Sequence, residues 1–176
     1  MQVPSVPPAR ERLAQFSEHP APWHWHARAV TDHVLRPARP DDTDALVGVW
    51  RRAVEATHDF LGPDDVRELE TAVRDEYLGA VDLTVAEVDG RVVGFVGTVG
   101  HRVEMLFVDP ALHGRGTGRA LLDAVGRGLP VVELDVNEQN PGALAFYRAL
   151  GFEVTGRSET DDQGRPFPLL HLRREA

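Results

Sequence analysis

The chain has no cysteine. That removes disulfides, thiolate nucleophiles, iron–sulfur clusters and cysteine-type zinc sites together. It has no lysine either, so a Walker loop, which needs Gly-Lys followed by Ser or Thr, is excluded. No apolar run reaches the length of a bilayer-spanning helix. The N-terminus, Met1-Gln-Val-Pro-Ser-Val-Pro-Pro8, has prolines where a signal peptide has its apolar core, so the expected location is cytoplasmic. Positive charge is also scarce: the net charge is -9 over 176 residues, with a pI near 5.3. A sequence-independent grip on nucleic acid or on an anionic membrane is therefore not expected, while a cationic amine substrate is compatible with this charge.

What remains is ordinary for one globular domain, with 42% hydrophobic residues. Residues 1–33 differ from the rest. Pro4, Pro7, Pro8, Pro20 and Pro22 break any long helix. They precede Trp23-His-Trp-His26, where two histidines at i and i+2 could share a strand face. No third ligand with zinc-site spacing follows, so no metal site is assigned. Trp23 and Trp25 read instead as anchors for an appended arm, on the domain or on a second subunit of a homodimer.

The domain is expected over 34–176. Val34–Arg39 reads as a short strand, and Asp41 and Asp42 open a helix with Leu46, Val49, Trp50, Ala53 and Val54 at three-and-four spacing. Pro63 starts a second helix running to Tyr77. Alternating apolar residues on both sides of Asp89-Gly90 predict a β-hairpin. A strand over 104–109, a helix over 116–127, a strand over 131–136, a helix over 141–150 and strands over 152–157 and 169–173 complete the order β-α-α-β-β-β-α-β-α-β-β. The class is α/β or α+β: a mixed sheet with helices on its faces.

The chemistry concentrates between Leu106 and Arg119. A strand, Leu106-Phe107-Val108, leads through His113-Gly114-Arg115-Gly116-Thr117-Gly118-Arg119 straight into a helix. Three alternating glycines let the backbone curl and approach a ligand, the N–H groups at the helix start suit phosphate, and Arg115 and Arg119 add forked donors. A dinucleotide fingerprint needs glycine at 119, where this chain has Arg. A pyrophosphate loop of the kind that holds coenzyme A is the option left.

At these residues the sequence resembles the GNAT superfamily of N-acetyltransferases. His113-Gly-Arg-Gly116-Thr-Gly118 matches its loop motif except that His takes the place of Gln or Arg, and Asn140-x-x-Ala143-x-x-x-Tyr147-x-x-x-Gly151-Phe152 matches a second segment. The resemblance spans Leu35 to Arg173. It implies the GNAT fold, a mostly antiparallel sheet flanked by helices, and acetyl transfer from acetyl-CoA to an amine. It also implies cofactor contacts at Leu106, Phe107, Val108, His113, Gly114, Arg115, Gly116, Thr117, Gly118, Arg119, Asn140 and Tyr147. Ala56–Leu61, Val136–Asn140 and Val154–Glu159 are similar to a bacterial member of the family and point to an amine carried on a peptide or protein. A polyamine, an amino acid or an amino-bearing antibiotic remain alternatives, as does a non-catalytic acyl-CoA-binding module.

An alkyl amine is about one part in a thousand neutral at pH 7, a penalty of roughly 4 kcal/mol that a base relieves. The resemblance puts Glu104 in that role, with His58 and His101 as rivals because imidazole titrates in the useful range. Tyr147 falls where the family places the acid that protonates the departing thiolate. A backbone N–H of Phe107 or Val108 is the expected donor to the charge developing on the thioester oxygen.

Overall fold

In a computed structural model of the chain, residues 33–58, 61–161 and 163–175 are described below. The arm with its Trp-His-Trp-His segment lies outside them except for His33, as do Asp59 and Phe60. The elements are β1 (Val34–Pro37), α1 (Thr43–Thr57), α2 (Pro63–Ala72), β2 (Asp82–Val88), β3 (Arg91–Val99), β4 (Arg102–Val108), α3 (Thr117–Val125), β5 (Val131–Asn137), α4 (Pro141–Ala149), β6 (Glu153–Ser158) and β7 (Leu169–Glu175). The expected element order holds. The second helix, expected to reach Tyr77, gives way at Val73 to a π turn over Val73–Tyr77, which buries both Val73 and Tyr77. The third stops at Val125 because Gly126 and Gly128 follow, Gly128 at φ +77°.

The strands form one seven-stranded sheet in the order β1-β2-β3-β4-β5-β7-β6. Every neighbouring pair is antiparallel except β4 and β5. Asp89 and Gly90, both at positive φ (51° and 73°), make the tight turn between β2 and β3 that the Asp-Gly pair predicted.

Both faces of the sheet are covered. On one, Val49, Trp50, Ala53 and Val54 of α1 pack with Val73 and Tyr77 against Val85, Phe95, Met105 and Phe107. The Trp50 ring meets Phe107 edge-on at 6.5 Å between centroids. On the other, Leu121 and Leu122 of α3 and Tyr147 of α4 pack against Val96, Val103, Leu106, Val108, Leu134 and Val136. A strict two-residue period would send Val103 and Met105 to the same face. They go to opposite faces because β4 carries one extra residue: Met105 pairs with Gly97 and Val103 with Thr98, leaving Glu104 as a bulge.

At the sheet edge Arg36 ties β1 down. Its guanidinium donates to both oxygens of Asp42 (2.7 and 2.9 Å) and to Glu87 on β2. The guanidinium holds the Asp42 carboxyl below the usual carboxylate range, helped by the Arg39 N–H. A carboxyl whose folded pKa is depressed stabilises the fold above its unfolded pKa, and that stabilisation disappears as pH falls through the folded value. Asp42→Asn is therefore expected to lower unfolding free energy at pH 7, with the gap to wild type closing once pH drops below about 4. Urea titrations across that range measure it, and a gap independent of pH contradicts the assignment.

Candidate active site

The site is built where β4 and β5 part. Their pairing covers only Arg102 with Glu133 and Val103 with Leu134; beyond the bulge at Glu104 the two strands have no paired residues. The side of β4 that faces the gap follows from one hydrogen bond. Asp109 N–H donates to Val93 O on β3 at 2.8 Å. Alternation along an antiparallel ladder turns the Phe107 N–H to β3 as well, and the Leu106 and Val108 N–H groups the other way, into the gap. Val108 and Leu106 are thus the donors available there. Phe107 is not: its N–H serves β3 and its ring is buried against α1. This selects between the two donors the sequence left open.

The loop after β4 is held by its own side chains. Asp109 Oδ1 accepts from the Ala111 N–H at 3.0 Å, and His113 Nε2 lies 3.1 Å from Val108 O. Histidine at the variant motif position therefore closes the loop back onto the strand end. Gly114 and Gly116 sit at φ +75° and +87°, where a side chain is strained. Gly118 is required for a different reason: a Cβ there would lie 3.0 Å from Phe146 Cζ, so α3 starts in direct contact with α4. Ala120 N–H is the first to bond back along α3, to Gly116 O at 2.9 Å. The N–H groups of Thr117, Gly118 and Arg119 are left at the helix mouth, with its partial positive charge.

A cavity of about 500 Å³ joins these parts. Leu106 and Val108 form its floor, His113, Gly114 and Gly116 to Arg119 one end, and Asn140, Phe146 and Tyr147 the α4 wall. Asn140 is 6% exposed. Its Oδ1 caps α4 by accepting from Ala143 N–H at 3.0 Å, while its Nδ2 is buried with no partner among the described residues. A buried, unused amide donor on a cavity wall calls for an acceptor from a ligand. With the free amides at the α3 mouth it fits the diphosphate and amide-rich arm of coenzyme A. Tyr147 is 3% exposed, its ring edge-on to Phe146 and Phe152 at 5.2 and 5.6 Å. Burial raises the proton affinity of its phenol well above the ordinary value, so the hydroxyl is protonated at neutral pH.

The expected residues do not all gather here. Arg115 and Glu104 do not line the cavity; Arg119 does. Glu104 sits on the bulge, 6% exposed, with Arg102 Nε 3.3 Å from its Oε1. His58 is buried at the end of α1, its Nδ1 2.8 Å from Thr57 Oγ1, and Thr57 reaches the cavity wall. His101 is in the β3–β4 turn, half exposed and 3.4 Å from Glu133. Sequence reasoning gave no role to Thr57, although it lies in the Ala56–Leu61 stretch that resembles a bacterial family member, or to His33, whose Nε2 lies 2.9 Å from Thr117 Oγ1. His33 was assigned to the arm but belongs to the domain.

Gly116→Val is expected to weaken coenzyme A binding by about tenfold or more, since forcing a β-branched residue to positive φ costs roughly 1–3 kcal/mol. No neighbour lies within 4 Å of the new Cβ, so the effect is on the loop backbone rather than on packing. Calorimetric titration measures it; unchanged affinity removes the loop from the site.

The acetyltransferase (GNAT) domain family matches residues 51–169. The chain is 43% identical over 139 residues to YjaB of Salmonella typhimurium, a peptidyl-lysine N-acetyltransferase, covering 78% of this chain and 95% of that protein. It is 31% identical over 134 residues to the peptidyl-lysine N-acetyltransferase YiaC of Escherichia coli, covering 76% and 92%. The solution structure of apo YjaB from Escherichia coli superposes with a TM-score of 0.75 at 42% identity, over 80% of this chain and 96% of that one. With the parted strands, the amide-lined loop and the buried tyrosine, these likenesses place the chain in the GNAT family of acetyl-CoA-dependent N-acetyltransferases.

Proposed function

We propose that this enzyme acetylates lysine side chains of peptides or proteins, holding acetyl-CoA in the cavity between β4, α3 and α4. The observation that carries the placement is the set of backbone and side-chain donors with no partner among the described residues: the amides at the α3 mouth, the Leu106 and Val108 N–H groups in the strand gap, and Asn140 Nδ2. Peptidyl-lysine as acceptor is supported by the names of relatives that match nearly end to end. An acidic chain suits a cationic acceptor as well.

Acetyl-CoA supplies an activated acetyl group. The α3 mouth, with Arg119, receives the diphosphate, and Asn140 the arm that leads from it. A diphosphate at residues 113–119 directs the thioester back along β4 towards Leu106 and the bulge. Val108 and Leu106 N–H donate along that path, the nearer one to the thioester oxygen as charge develops there. The acceptor approaches from the face that carries α1 and α2, where Glu104 on the bulge takes the ammonium proton. Tyr147 gives its hydroxyl proton to the departing sulfur; a phenol is protonated at neutral pH and so has that proton to give.

Tyr147→Phe is expected to lower kcat by about 100-fold, within the range of general acid catalysis, with little change in coenzyme A affinity. Glu104→Gln is expected to lose a similar factor with a lysine peptide and much less with an aminooxy acceptor, which is neutral at pH 7 and needs no base. Thiol release measures both. An unchanged turnover in either variant removes that residue from its role, and a lysine peptide that is never acetylated removes the acceptor assignment.

A further inference from the structure

On the sheet face that carries α1 and α2, polar contacts cross four strands in an unbroken chain. Arg102 on β4 places Nε 3.3 Å from Glu104 Oε1 and directs a second guanidinium nitrogen to Asp135 Oδ2 on β5. The other Asp135 oxygen meets His171 Nδ1 on β7 at 2.7 Å, and His171 Nε2 meets Ser158 Oγ on β6 at 2.8 Å. A carboxylate only accepts, so Nδ1 carries an imidazole hydrogen and donates to Asp135, while Nε2 shares a hydrogen bond with the serine hydroxyl. The strand register makes this possible: Asp135 is directly opposite His171, and Arg102 is level with Glu133.

Two carboxylates here share one guanidinium, and both are buried: the Asp135 side chain is 2% exposed and that of Glu104 6%. Apolar side chains of the same volume would stabilise the fold as well or better, so stability does not explain the arrangement. Its geometry is also lopsided. The guanidinium bonds tightly to Asp135 and only loosely to Glu104. A cation held closely on Glu104 would make it a poor proton acceptor.

We infer that Asp135, itself held by His171, is a positioning residue that draws Arg102 off Glu104 and so leaves Glu104 basic enough to take the acceptor's proton. This deepens the reading of Glu104 given above and rests on it. One proton leaves the acceptor nitrogen for a Glu104 oxygen and passes on to solvent; the freed lone pair forms the amide bond as the carbon–sulfur bond breaks, and the second proton lost from the nitrogen replaces the one Tyr147 gives to the sulfur. Other ionisable groups on this face among the described residues are Glu133 with His101, Arg173 opposite Glu133, His58 at the end of α1, and Tyr77 of the π turn. Tyr77 is tied through Gln163 to the loop of the Asp161–Arg165 pair.

The test is the pH dependence of kcat/KM for a lysine peptide, followed by thiol release, in wild type, Asp135→Asn and Arg102→Gln. Coenzyme A affinity is measured on each variant to establish that the site is folded. In Asp135→Asn the guanidinium closes on Glu104, so the acid limb is expected to move down by about 1 pH unit and the plateau to fall about tenfold. In Arg102→Gln the limb moves up, because a buried carboxyl without its cation holds its proton longer. With an aminooxy acceptor neither variant loses more than about twofold at pH 7, since no ammonium proton has to be removed. Should Asp135→Asn fail to bind coenzyme A, Arg102→Lys replaces it. Its single ammonium nitrogen cannot hold the two carboxylates at the unequal distances that separate guanidinium nitrogens allow, and the same acceptor-dependent loss is expected. Limbs that stay at the wild-type pH, or equal losses with both acceptors, overturn the inference. Glu104→Gln run alongside separates the two claims: if it too keeps full activity, the base assignment has failed, and if it is inactive while Asp135→Asn behaves as wild type, only the positioning role has failed.

Discussion

Two neighbouring strands that run parallel but stay together for only two residue pairs are the constraint on which the site depends. Parallel pairing is the exception in this sheet, and it occurs at the position where the chain must cross from β4 through α3 to reach β5. The bulge at Glu104 starts the separation. It adds a residue to β4, changes the faces its side chains take, and increases local twist. Past that point the β4 edge has backbone donors and no strand to use them. An unpaired strand edge inside a protein is costly unless something else bonds to it.

Around that gap, the same residue type does different work in adjacent positions. Gly114 and Gly116 are needed for their backbone angles, Gly118 for the closeness of Phe146. Asn140 splits its amide between a structural task, capping α4, and a free donor on the cavity wall. Histidine at 113 replaces a longer side chain and bonds to the end of β4, so it shapes the loop. Burial of Tyr147 among aromatic rings both completes the core and keeps its proton in place. Packing and chemistry are served by one set of side chains.

Much of this was legible in the residues. Asp89-Gly90 specified its hairpin, Pro63 and Pro141 began their helices, and the Gly114–Arg119 stretch marked the phosphate end, because each rests on local backbone chemistry. What was not legible is non-local. Phe107 turns its N–H to β3 and not to the gap, a direction set by the pairing with β3, and His33 meets Thr117, 84 residues away. Glu104 could be named from the family resemblance, but its partnership with Arg102, Asp135 and His171 joins residues from three strands.

The sequence alone determined the element order, the class of fold and the candidate residues of the site, the Gly114–Arg119 loop and Tyr147. Those depend on turn propensity, helix signals and side-chain type, which act over a few residues. The tertiary structure decided which amides of β4 face the gap and which carboxylates share the Arg102 cation. Those depend on strand order and register, and register is set only when the whole sheet closes on its two cores.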